Sequence, residues 1–174
     1  MHKPCHLLNL KIDRMQLARL LFPGAILLLA LSACGPNYVY EKSYDIENGA
    51  WAYADTLPFQ FEIEDTNTIY NLWLEVDHST DFGNQNLYTQ IHTQFPSGQR
   101  LTELLSLELA NKAGQWFGDC NSESCTLRIP IQQGAYFDQA GAYQITLEQY
   151  MRRSPVEGVD AIAFRLEATG EQRQ

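Results

Sequence analysis

Phe59-Gln60-Phe61-Glu62-Ile63-Glu64 and, shortly after, Leu72-Trp73-Leu74-Glu75-Val76-Asp77 decide the fold. In both, an apolar residue alternates with one that suits water or a surface. Successive side chains of a strand point to opposite faces, so this period of two predicts strands with one buried face. The pattern recurs. Leu87, Ile91 and Phe95 share a face opposite Tyr88, Gln90, His92 and Gln94; Leu127, Ile129 and Ile131 oppose Arg128 and Pro130. Tyr143, Ile145 and Leu147 oppose Gln144, Thr146 and Glu148, and Ile162, Phe164 and Leu166 oppose Ala163, Arg165 and Glu167. One wet face per strand implies antiparallel sheets. Turn residues stand between the strands: Pro96-Ser97-Gly98, Asn111-Lys112-Ala113-Gly114, Asp119 to Ser124, and Gly134. The expected fold is an all-β, antiparallel β-sandwich of the jelly-roll or immunoglobulin-like kind. Tyr38, Tyr40 and Tyr44 suggest an irregular first strand, which sets the domain at residues 38–169, and the polar residues 170–174 are expected to fray. Pro130 has no N–H for a ladder, which places its strand at an edge. Leu101 to Ala110 fits a helical stripe as well as a strand; the flanking turns and the all-β context favour strand.

Ahead of this domain, an apolar run from Leu20 to Leu31 ends in Leu31-Ser32-Ala33-Cys34. A small residue before a cysteine, after a short apolar segment, resembles the lipobox of bacterial lipoproteins. The run is too short to span a bilayer, which takes about 20 residues, and Pro23 and Gly24 interrupt it. Lys11, Arg14 and Arg19 form the basic flank of a secretory signal. Residues 1–33 are therefore expected to be a lipoprotein signal peptide, with Met15 an alternative start. Residues 34–37 would form a lipidated N-terminus and short tether, with fatty acyl chains such as palmitate on Cys34. The rival reading is an ordinary cleaved signal with Cys34 merely nearby.

Removing residues 1–33 takes away Lys3, Lys11, Arg14, Arg19 and Asp13, leaving eight basic and twenty acidic side chains. Phosphate backbones repel such a surface, which argues against nucleic acid as a partner. Anionic headgroups give it no electrostatic help. Membrane attachment must come from the lipid on Cys34, at about 0.8 kcal/mol per buried methylene. Cys120 and Cys125 sit in a polar loop and, outside the cytoplasm, are expected to pair. So small a loop stabilises by roughly 2 kcal/mol in the chain-entropy model. Free thiols and a metal site are the weaker readings; the spacing is not that of a C-x-x-C oxidoreductase, and His78 and His92 are the only histidines left after processing.

The chain holds no G-x-S-x-G, H-E-x-x-H or phosphate-loop motif. Glu62 and Glu64 share a strand face at a spacing that could suit two glycosidase carboxyls, about 5 to 9.5 Å apart, but an acidic outer face is ordinarily solvated. Asp77-His78-Ser79-Thr80-Asp81 reads as a polar turn without the ligand spacing of a calcium loop, and His78 and His92 as surface histidines. No cofactor and no metal are expected. Trp51, Tyr53, Trp73, Tyr88, Trp116, Phe117 and Tyr136 are many aromatics for one small domain. They either line a binding surface or belong to a second small core.

Several segments, taken in order, resemble the GldH gliding-motility lipoproteins of Bacteroidetes. Gly141-Ala142-Tyr143-Gln144-Ile145-Thr146-Leu147-Glu148-Gln149-Tyr150-Met151-Arg152 is similar to that family's G-Y-x-x-x-x-x-Q-x-M-R stretch with one shift. The stretch from Val156 to Leu166 resembles its closing strand, and Leu109-Ala110-Asn111-Lys112-Ala113-Gly114-Gln115-Trp116-Phe117-Gly118 its L-A-x-x-x-G-x-W-x-G turn. Phe59 to Thr66, Tyr70-Asn71-Leu72, Asn86-Leu87-Tyr88 and Phe95-Pro96-Ser97-Gly98 follow in the expected order. Asp77-His78, where a basic residue is expected, and the Cys120 to Cys125 loop depart from the pattern. The resemblance implies a non-enzymatic lipoprotein accessory to gliding motility and the associated protein secretion. Its expected partners are the membrane and protein components of that apparatus, and it supplies no catalytic residue. Gly35-Pro36-Asn37-Tyr38-Val39 lacks the acidic cluster that resembles a surface-export signal in this phylum, so the domain is expected to face the periplasm. Trp116 and Phe117, with Trp73 and Trp51, are the candidate partner contacts. The alternative is a glycan-binding sandwich with Trp51, Trp73 and Trp116 stacking in one groove.

Overall fold

The computed structural model describes residues 35–174; the expected signal peptide, the lipobox residues Leu31 to Ala33 and Cys34 lie outside the described residues. Eleven strands and one short 3-10 turn follow. They are β1 (Tyr38–Asp45), the turn Glu47–Gly49, β2 (Ala50–Trp51), β3 (Leu57–Ile63), β4 (Thr68–Ser79), β5 (Asn86–Gln94) and β6 (Arg100–Glu108). Then come β7 (Asp119–Cys120), β8 (Ser124–Ala135), β9 (Gly141–Gln149), β10 (Val156–Glu157) and β11 (Val159–Gln172). All pairings are antiparallel. One sheet has the order β1-β11-β4-β8-β7, a second β3-β9-β5-β6, and β10 and β2 form a small ribbon.

The alternation read from the sequence is the packing rule of the two sheets. Leu57, Phe59, Phe61 and Ile63 of β3 are buried, as are Leu72, Leu74 and Val76 of β4, Tyr143, Ile145 and Leu147 of β9, and Ile162, Phe164 and Leu166 of β11. Phe164 joins the sheets: its ring lies 5.5 Å from Phe59 and 5.8 Å from Phe61, and Tyr40 of β1 packs 5.5 Å from Phe61. A joint of this kind is worth about 3–5 kcal/mol on truncation of one Phe. The segment from Leu101 is a strand. Its leucines divide by parity, with Leu107 buried and Leu104 exposed. Pro130 faces Trp73 of β4, beyond the reach of the two-residue β7, so β8 is an edge there as expected.

Three expectations need correction. Residues 170–172 do not fray: β11 continues to Gln172, opposite Thr68, and Arg173 N–H donates to the Asn67 carbonyl at 2.7 Å. Gly170, at φ 80°, absorbs the register shift that makes this possible. Asp77-His78-Ser79 is not a turn but the end of β4, paired with Thr126, Cys125 and Ser124. His78 is not a surface residue: it is fully buried, on the same inward parity as Leu74 and Val76.

Candidate functional site

The outer face of the five-stranded sheet is filled by its own side chains. Glu41 of β1, Arg165 of β11, Glu75 of β4 and Arg128 of β8 stand side by side across four strands. Arg165 Nε donates to Glu41 Oε1 at 2.6 Å and its guanidinium pairs with Glu75, which also receives Arg128 at 3.2 Å. Tyr38 closes the row: its hydroxyl accepts from Arg128 at 2.7 Å, and both guanidinium groups lie over its ring. Burial alone would push the Glu75 carboxyl up, but its bonds and charge pairing with Arg165, and then Arg128, outweigh that and hold it below the usual carboxylate range. The same contact, led by the hydrogen bond Arg165 donates to Glu75, pushes the Arg165 guanidinium further up. Trp73 belongs to this face too. It is half-buried and donates Nε1–H to Glu167 at 2.8 Å.

The end of the sandwich away from Asn37 is different. Asn37 O accepts from Ala168 N–H, whereas Gly158 opens the other end of β11. Nine strand residues, Val159 to Glu167, separate those points, roughly 30 Å at the usual rise. Three loops meet at the Gly158 end. The first carries Phe82. The second is the Leu109 to Gly118 turn, folded by Asn111, whose side-chain oxygen accepts from Ala113 N–H at 2.9 Å and Gln115 N–H at 3.0 Å. Gly118 is required there: its φ is 84°, and a Cβ would sit 2.3 Å from the Thr126 carbonyl oxygen. Trp116 folds inward onto His78, at 4.8 Å, and lies 6.5 Å from Phe82, leaving Phe117 as the exposed aromatic of the turn. His78 Nδ1 lies 3.0 Å from the Ser79 carbonyl, so that nitrogen carries the proton and donates. The adjoining hairpin is stapled by the Cys120–Cys125 disulfide.

The third loop runs from Gln149 to Pro155. Gln149 is buried one position past the apolar residues of β9, on their parity. Its amide accepts from Met151 N–H at 2.9 Å and donates to the Arg153 carbonyl at 3.3 Å. Tyr53 clasps the loop from outside, with its hydroxyl donating to the Met151 carbonyl at 2.6 Å and its N–H to Ser154 Oγ at 2.9 Å. The loop leaves Tyr150 exposed and borders, with Tyr88, Met151, Arg152 and Arg153, an open groove of about 610 Å³. Two adjacent arginines are conspicuous on so acidic a domain. Neither Gln149 nor this arginine pair was identified as functional from the sequence. The signal for Gln149 was present, because the period of two continues past Leu147 onto it.

The candidate contacts therefore separate. Trp51 is corrected: it has no exposed surface and donates Nε1–H to the Asp55 carbonyl at 2.7 Å. It is core, not contact. With Trp51 buried, Trp73 bound into the outer row and Trp116 folded onto His78, the three indoles form no common stacking groove. Glu62 and Glu64 are exposed on the outer side at the end of β3.

Fold and site together define a small antiparallel sandwich whose loops converge at one end and whose first strand enters at the other. The GldH lipoprotein family model matches residues 38–166, almost the whole described domain, and the chain belongs to that family. It is 22% identical over 147 residues to a gliding motility lipoprotein GldH homolog of Christiangramia forsetii, an alignment covering 80% of this chain and 90% of the relative. It is 24% identical over 154 residues to the gliding motility lipoprotein GldH of Flavobacterium johnsoniae, covering 83% of this chain and 95% of the relative.

Proposed function

We propose that this chain is a lipid-anchored, non-enzymatic accessory protein of a gliding-motility and protein-secretion apparatus, held in the cell envelope by acyl chains on Cys34 and facing the periplasm. Family membership carries this reading, and the names of both relatives agree with it. The anatomy of the domain supports a division of labour. Within the domain, the first strand begins at one end of the strands, roughly 30 Å from the convergent loops. The loop end supplies rigid, exposed groups of the kind that recognise a protein: Phe117, Tyr150 and the pair Arg152 and Arg153. The Cys120–Cys125 staple beside them suits an oxidising compartment.

Substituting Cys34 by Ala should move the protein from the membrane to the soluble fraction, since the acidic domain has no attraction of its own for anionic lipid. Unchanged fractionation would refute the anchor. Charge reversal at Arg152 and Arg153 should leave the protein folded and membrane-bound but unable to complement a deletion of its gene. Full complementation by that double variant would remove the loop end from the account.

A further inference from the structure

The four sheet edges are not alike. The β3 edge carries Pro58, whose carbonyl accepts from the Tyr44 hydroxyl at 2.5 Å and from Lys42 Nζ at 3.4 Å. The β1 edge is broken by a register shift between Tyr38 and Tyr40. The fourth strand from that edge, β8, is interrupted by Pro130 and covered in part by the stapled β7. These are ordinary ways to stop a strand edge from pairing. The β6 edge has no proline, no register shift and, among the described residues, no cover, and carries one charge, Glu103, on its inward parity. It is nine residues long, Arg100-Leu101-Thr102-Glu103-Leu104-Leu105-Ser106-Leu107-Glu108, without proline, glycine or lysine. Its register with β5 is unbroken from Arg100 to Glu108. Among the described residues no strand pairs with its other side. Leu104, 65% exposed, stands at its centre and Leu101 is 45% exposed.

The order of residues along this edge is self-complementary. Arg100, Thr102, Leu104, Ser106 and Glu108 lie opposite Gln94, His92, Gln90, Tyr88 and Asn86 of β5, on the outer face. When a second β6 is laid antiparallel against the first with Leu104 opposite Leu104, Arg100 meets Glu108 at both ends and Thr102 meets Ser106. Leu101 meets Leu107 on the inner face, where the exposed Glu103 stands opposite Leu105 beside the axis. Opposite charges and apolar pairs directly across an antiparallel pair stabilise it. A shift by two residues toward Glu103 sets Glu103 against Glu103, and the opposite shift separates Arg100 from Glu108. A shift by one turns the partner's wet face to the wrong side.

We propose that two copies of this chain join edge to edge through β6 about a two-fold axis at Leu104, making one continuous sheet from two four-stranded ones. The axis is perpendicular to the sheets, as an isologous antiparallel pair demands. It therefore keeps both five-stranded sheets on one side of the pair and points the two Asn37 ends in opposite directions along the strands. Leu104 and Leu105 also line the groove beside Tyr150, Arg152 and Arg153, so the pairing would border that groove.

The test uses the full chain in its native membranes, with single cysteines introduced on the edge and copper phenanthroline as oxidant. Leu104→Cys, opposite itself, should give a disulfide-linked dimer on non-reducing gels. Leu101→Cys, also exposed but opposite Leu107 of the other copy, should not. In the Leu104→Cys background, Arg100→Glu or Glu108→Arg should each lower the dimer fraction about fivefold, and the two together should restore it. No dimer from Leu104→Cys, equal dimer from Leu101→Cys, or no recovery in the double reversal would each overturn the proposed pairing.

Discussion

The two sheets share one core and differ on their outer faces. On the five-stranded sheet, Glu41, Arg165, Glu75 and Arg128 satisfy one another beneath the Tyr38 ring, and the Arg165 and Glu75 side chains are only 14% and 15% exposed. On the four-stranded sheet, Tyr88 and Leu104 stand in the open, 49% and 65% exposed, beside a loop that ends in two arginines. The first face has used its polar groups internally. The second also pairs polar groups, as His92 with Thr102 and Glu148 and Arg100 with Gln94, but leaves Tyr88 and Leu104 uncovered. The difference separates a face closed over by its own charges from one with uncovered apolar groups, although both read as solvent faces in the sequence.

The largest effect expected from this contrast comes from breaking the inner row. Glu75→Ala leaves Arg165 partly buried and short of one partner, and should cost about 2 kcal/mol in denaturant unfolding, below the 3–5 of a fully buried pair because the row touches water. A next, smaller effect is on pH. The folded Glu75 carboxyl lies below its ordinary range, so its contribution is complete above about pH 4.3 and is lost as pH falls through the lowered folded value. The stability gap between the wild type and Glu75→Gln should therefore be constant near neutrality and close on strong acidification. A gap that widened in acid would reverse the sign of the argument. Arg128→Ala, at a 44% exposed position, should cost less than about 1 kcal/mol. Least of all, His92→Ala on the open face, where the ring only touches Thr102 and Glu148, should change stability by no more than about 0.5 kcal/mol. If His92→Ala and Glu75→Ala cost the same, the two faces are not different in kind.

The strands were legible in the sequence because burial and strand period coincide there. Phe59 to Ile63 and Leu72 to Val76 needed nothing beyond counting by two. The errors share one physical source. His78 and Gln149 are polar residues that continue an apolar alternation inward, after Val76 and after Leu147; His78 reads as a surface histidine on composition, and Gln149 receives no reading of its own. His78 is tolerated because the Ser79 carbonyl and the Trp116 ring receive it, and Gln149 because it holds the Met151 to Arg153 backbone. The backbone partners lie one to four residues away in the chain, but the strand period does not encode them. Trp51 was misjudged for another reason: β2 is two residues long and has no period to read. The pairing of Cys120 with Cys125 was legible because four polar residues between two cysteines fit a tight hairpin.

The anchor is the premise that gives these faces a biological setting, and it is open to one direct measurement. The protein should be taken from the envelope of its own host, digested, and its N-terminal peptide weighed intact. The account predicts a peptide that begins at Cys34 and carries the added mass of a thioether-linked diacylglycerol, with or without a third acyl chain. A peptide beginning at any other residue, or an unmodified Cys34, would contradict it.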